Sequence, residues 1–184
     1  MIDKLYRVFQ KNGINIAKDD FVYGLTNLIH WLTFIMILIP IGLTLNILIE
    51  SCLFYIFYSQ LRKYTGGIHM EKNILCITSS LIISVIIPII AKKFIINSLL
   101  IVMISYTFTI MFIFFHKSIQ HKNKPLSEGE ITYYTRNAVI VELIYAILSI
   151  CLLLLNFRSI STLILYTTIF CTMELLILSI LNLN

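Results

Sequence analysis

Long apolar runs return along this chain of 184 residues, separated by short polar stretches. The beginning is patterned differently. Ile2, Leu5, Val8 and Phe9 recur at helical spacing, with Lys4, Arg7 and Lys11 turned elsewhere. That spacing predicts a short amphipathic helix ending near Asn12-Gly13 and lying on a membrane surface. Asp19 or Asp20 then stands where a capping residue would open a second helix through Phe21, Val22 and Leu25 into the first apolar block.

Residues 31–60 pass without one Lys or Arg. As a single helix they would measure about 45 Å, against a hydrocarbon core of about 30 Å. Together with residues 25–28 the stretch holds two short or tilted spans, with a break among Pro40, Gly42, Asn46 and Glu50. Four more spans are expected over 75–90, 94–115, 138–155 and 160–180.

Composition fixes the class. With 59% hydrophobic and 12% charged residues, the chain lies far outside the soluble range. The expected fold is all-α: one polytopic membrane domain over residues 1–184, about six transmembrane helices preceded by an amphipathic segment at 1–20. The first twenty residues carry seven charges and no apolar block with a cleavage site, so no signal peptide is expected. The net charge of +5 is distributed between spans, where it marks topology and anionic-lipid contact rather than nucleic acid. Six spans place eleven basic residues on one side and Lys92, Lys93 and Arg158 on the other; five would divide the fourteen equally. The positive-inside rule selects six, with both termini and the connections at 62–74 and 116–137 in the cytoplasm of a multi-pass cell-membrane protein.

One polar connection also holds candidate chemistry. Gly66-Gly67 opens it, His69 follows, and Cys76 stands where apolar sequence resumes. A cysteine attacks as its thiolate and a nearby histidine can take its proton. On one unbroken helix, however, positions seven apart are about 10.5 Å apart, beyond hydrogen-bond reach. Pairing therefore needs a break between them, with a new helix starting at Lys72 or Asn73 and His69 folding back over its first turn. The free N–H groups of that turn would also favour a thiolate and an oxyanion. The spacing equally suits a packing cysteine and an interfacial histidine. Glu71 can orient His69 or be a solvated charge; Arg62 can bind a carboxylate or oxyanion, or anchor its helix at the interface.

Glu50, Glu142 and Glu174 fall in or beside apolar blocks, where carboxylates call for pairing, ion passage or an oligomer contact. Glu142 and Glu174 keep a second function open, a small membrane transporter or peptide exporter. The polar connection at 116–137, with Lys117, Lys122, Lys124 and Arg136, suits a topology anchor or a clasp for an acidic peptide tail. Cys52, Cys151 and Cys171 lie within apolar runs, and no CxxC or zinc-ligand cluster occurs. No cofactor or metal is expected.

Arg62, Gly67, His69 and Cys76, followed by Asn123-Lys124-Pro125-Leu126 with Glu128 and Glu130, resemble the accessory gene regulator B (AgrB) family of membrane endopeptidases in length, spacing and span pattern. The resemblance implies that Cys76 is the nucleophile and His69 its base in processing an AgrD-like precursor peptide. Cleavage of the acidic tail would pass through a thioester to a thiolactone or lactone ring, at the cytoplasmic face of a homodimer. Arg62, Gly66, Gly67, Lys122 and Lys124 would support the site or bind substrate. His116-Lys117-Ser118 stands where many relatives have an Ala-Pro step.

Overall fold

The computed structural model describes residues 6–7, 9–10, 17–66, 73–116 and 127–182. They build six helices and no strand: α1 (Lys18–Thr44), α2 (Leu48–Thr65), α3 (Asn73–Lys93), α4 (Leu99–His116), α5 (Glu128–Leu154) and α6 (Arg158–Asn182). All but α2 are long and apolar enough to cross a membrane; α2 carries Glu50, Arg62 and Lys63 near its ends. At 18 residues it is as long as α4, and it packs inside the bundle against α3, α5 and α6. The chain is a polytopic membrane protein.

The break inside residues 31–60 lies at Leu45-Asn46-Ile47. Asn46 takes a left-handed conformation, φ 56, its N–H bonds the carbonyl of Leu43, and the Ile47 N–H bonds that of Gly42. These two bonds satisfy carbonyls that the end of α1 would leave bare. Gly42 is required there, since a Cβ would come within 2.9 Å of the Leu48 backbone. Pro40 breaks nothing and sits inside α1. The same device joins α5 to α6: Asn156 has φ 65, and the N–H groups of Asn156 and Phe157 bond Leu153 and Leu152.

Three boundaries differ from those read along the sequence. Ala17 is the N-cap of α1, leaving Asp19 and Asp20 inside the first turn, where they favour the positive helix end without capping it. The helix expected from residue 94 starts at Leu99, because the preceding residues are tied sideways to α6: Ile96 N–H donates to Thr162 Oγ1 and Tyr166 Oη donates to the Phe94 carbonyl. Residues 128–137, expected within a polar connection, are the opening turns of α5. Ser127 and Glu130 form a reciprocal capping box there, with bonds of 2.9 and 3.3 Å. Of the N-terminal amphipathic segment, Tyr6, Arg7, Phe9 and Gln10 are described and helical. The Tyr6 and Phe9 rings rest 5.4 and 5.2 Å from Phe21 of α1.

The core sits around α6, which touches α2, α3, α4 and α5. Between helices in lipid there is little hydrophobic drive, so close approach through small side chains and hydrogen bonds holds them. α6 supplies buried Ser161, Thr162, Thr167, Thr168 and Thr172. Thr167, Thr168 and Thr172 return their hydroxyls to their own helix carbonyls at 2.7–2.8 Å. Ser161 instead meets Ser149 of α5 at 2.9 Å. Among the described helices, α1 packs mainly on α2 and α3, through Phe34, Leu38 and Leu81.

Candidate active site

α2 stops at Thr65 because Gly66 takes φ 82, its N–H returning to the Arg62 carbonyl at 3.0 Å. α3 resumes at Asn73. Cys76 falls in the first turn of α3, half-buried. The Ser79 hydroxyl bonds its carbonyl at 3.0 Å.

Cys76 opens into a cleft of about 220 Å³ between α1, α2 and α3. From α1 come Asn27, His30, Trp31 and Phe34, one helical face by their spacing; from α2, Tyr55; from α3, Cys76, Ile77 and Ser80. Phe34 and Tyr55 close one side with ring centroids 4.6 Å apart. The cleft thus joins a thiol, a histidine, an amide and two hydroxyls on an aromatic wall.

Arg62 stands two turns beyond Tyr55 on the same face of α2. Its guanidinium lies 5.4 Å from the Tyr58 ring centroid. Tyr58 donates to both carboxylate oxygens of Glu174 at 2.9 and 3.0 Å, and Arg62 acts electrostatically on both Glu174 and Tyr55. The second intramembrane carboxylate, Glu142, is fully buried and accepts from Thr109 at 2.6 Å. Glu142 Oε2, Tyr106 Oη and Ser51 Oγ are buried with no hydrogen-bond partner among the described residues. Glu50 pairs with Lys92 at 3.2 Å.

Of the residues singled out along the sequence, Cys76, Arg62 and Gly66 are placed at this end of the bundle. His69, Gly67, Glu71, Lys122 and Lys124 lie outside the described residues. His30, Trp31, Asn27 and Tyr55 were not picked out by sequence reasoning. The available signal was the polar and aromatic spacing of Asn27, His30, Trp31 and Phe34 inside an otherwise apolar run. Among the described residues no cluster of His, Cys, Asp or Glu could hold a metal ion.

The family model for accessory gene regulator B matches residues 2–180. The chain belongs to the AgrB family. Among curated AgrB-like relatives, the "Putative AgrB-like protein 2" of Clostridium perfringens (strain 13 / Type A) is 33% identical over 121 residues. The "Putative AgrB-like protein" of Clostridium perfringens (strain SM101 / Type A) is 31% identical over 121. Each match covers 62% of this chain and 56% of the relative, so the chain spans a little over half the length of these AgrB-like proteins. No solved structure matches. Membership of AgrB links the chain to the accessory gene regulator system.

Proposed function

We propose that this protein is a membrane-embedded cysteine endopeptidase that cuts the C-terminal tail from an AgrD-like propeptide and promotes its ring closure. The observation that carries the reading is the half-buried Cys76 in a cleft at the first turn of α3. In this scheme the Cys76 sulfur attacks the scissile carbonyl, His69 takes the thiol proton, and N–H groups at the helix end bond the oxyanion. The C–N bond breaks, the tail leaves as an amine carrying that proton, and the precursor stays on Cys76 as a thioester. A cysteine or serine of the precursor then attacks the same carbonyl, closing a thiolactone or lactone ring and releasing Cys76. Thioester exchange roughly conserves bond energy, so no ATP is needed while the apolar cleft excludes water.

Arg62, held over the Tyr58 ring at the end of α2, would receive a carboxylate of the precursor, with Gly66 and Gly67 assigned a supporting role beside it. Lys122 and Lys124 would hold the acidic tail. The positive-inside count puts this end of the bundle in the cytoplasm, where a thiol stays reduced. The working unit is a homodimer. Buried Glu142 and Glu174 support a second reading, a small peptide exporter using intramembrane carboxylates.

Mass spectrometry of the purified protein in lipid vesicles with a candidate precursor decides between them. The peptidase reading expects a released tail and an acyl adduct on Cys76, both absent in Cys76→Ala, and no released tail in His69→Ala. Cleavage that survives in folded Cys76→Ala would sink it. Vesicle uptake that needs Glu142 or Glu174 and ignores Cys76 would favour the exporter.

A further inference from the structure

A second cleft is larger than the one at Cys76. It lies where the last turn of α4 meets α5, measures about 480 Å³, and is walled by Phe114, Phe115, Val139 and Ile140 with Thr132, Thr135 and Arg136. Its volume is that of a small-molecule site, and its lining is apolar with one cation. Phe114 and Phe115 remain 64% and 68% exposed and Ile140 41%, so the apolar wall opens outward to the lipid side of the bundle.

Depth along the helix fixes what Arg136 meets. Arg136 precedes Leu154 by eighteen residues on α5, about 27 Å of helix, close to the thickness of a hydrocarbon core. With Leu154 at one boundary of the apolar layer, Arg136 lies at the other, at the level of lipid phosphates. Tyr133 and Tyr134, the aromatic pair that marks this interface, stand in the preceding turn. Arg136 is exposed, and no carboxylate among the described residues pairs with it. The acids of α5 are elsewhere engaged or distant: Glu130 closes the capping box, Glu142 is buried against Thr109, and Glu128 lies two turns away.

We propose that this cleft binds one anionic phospholipid of the inner leaflet, its phosphodiester on the Arg136 guanidinium and an acyl chain along Phe114, Phe115, Val139 and Ile140. A guanidinium fork matches two phosphate oxygens, and the Thr132 hydroxyl lies one turn nearer the headgroups. A lipid supplies both halves of what the cleft offers, a charge at headgroup depth and a chain in the apolar layer. A soluble anion would fill only the first half. The site is independent of the peptidase reading and of Cys76.

Native mass spectrometry of the full chain, released from nanodiscs of phosphatidylglycerol and phosphatidylcholine in equal amounts, tests it. The wild type is expected to retain phosphatidylglycerol preferentially. Arg136→Gln should weaken that retention about fivefold, as expected for one cation at an anionic surface, with Arg136→Lys recovering part of it. Ile140→Trp, which fills the cleft and keeps the charge, should also lose the lipid. A thermal unfolding curve confirms that each variant is folded. Equal retention of both lipids by the wild type overturns the site, as does unchanged retention in both folded Arg136→Gln and Ile140→Trp. If Ile140→Trp dissociates a dimer while lipid retention persists, the cleft belongs to a second copy and the proposal is also overturned.

Discussion

α1 and α6 are apolar helices of similar length, yet 11% of the apolar stretch of α1 is buried inside the protein against 50% for α6. The difference follows from the side chains. α6 presents Ser161, Thr162, Thr167, Thr168 and Thr172 to four neighbours that can come close. α1 presents Phe34 and Leu38 to two neighbours and leaves Trp31, Leu32 and Met36 outside. The cleft holding Cys76 is on the α1 side. Under the proposed function, a precursor peptide would enter by displacing α1, the helix with less of its surface buried, while α6 keeps the rest of the bundle fixed.

The contrast predicts opposite signatures for the two sides. Cys76→Ala should reduce precursor cleavage by at least about 10³-fold and leave thermal unfolding in detergent unchanged, because the sulfur is half-buried at a loosely packed edge. A Tm that falls with the activity would assign Cys76 to packing. Leu163→Ala, in the second turn of α6 with no exposure, should do the reverse: a stability loss of about 2–5 kcal/mol, with residual cleavage per folded molecule intact. Denaturant titration of the reconstituted protein measures it.

Glu174→Ala joins the two sides. It removes the acceptor of the Tyr58 hydroxyl and a carboxylate near Arg62, so a loss of about 1–3 kcal/mol is expected. If Glu174 also positions Arg62, KM for the precursor rises more than kcat falls; an equal effect on both would confine Glu174 to structure. The smallest effect is assigned to His30→Phe. It should lower cleavage about tenfold, the value of one hydrogen bond to substrate, without changing Tm. Wild-type kinetics in that variant would reduce His30 to a wall of the cleft.

Much of this architecture was legible because bilayer thickness limits what thirty apolar residues can do. The turn inside residues 31–60 was required by length, and Asn46 stood among its four candidates. Choosing it depended on Gly42 meeting Leu48, a contact absent from any local pattern. The start of α4 was misplaced for a related reason, since Phe94, Ile95 and Ile96 are as apolar as a span but are tied outside any helix by partners on α6. At the site, Cys76 was legible as a thiol beside a polar stretch. Its neighbours His30 and Tyr55 lie 46 and 21 positions earlier, brought to it by packing of α1 and α2 on α3. Spacing along one segment could pair Cys76 only with residues of its own neighbourhood.

The asparagine turn after α1 also bears on how the protein is made. Only Leu45, Asn46 and Ile47 separate α1 from α2, too few for one helix to settle in the bilayer while the other waits outside. The two must enter as a hairpin. α2, whose Glu50, Arg62 and Lys63 make it a poor substrate for insertion by itself, would then be drawn in by the apolar helix synthesised before it.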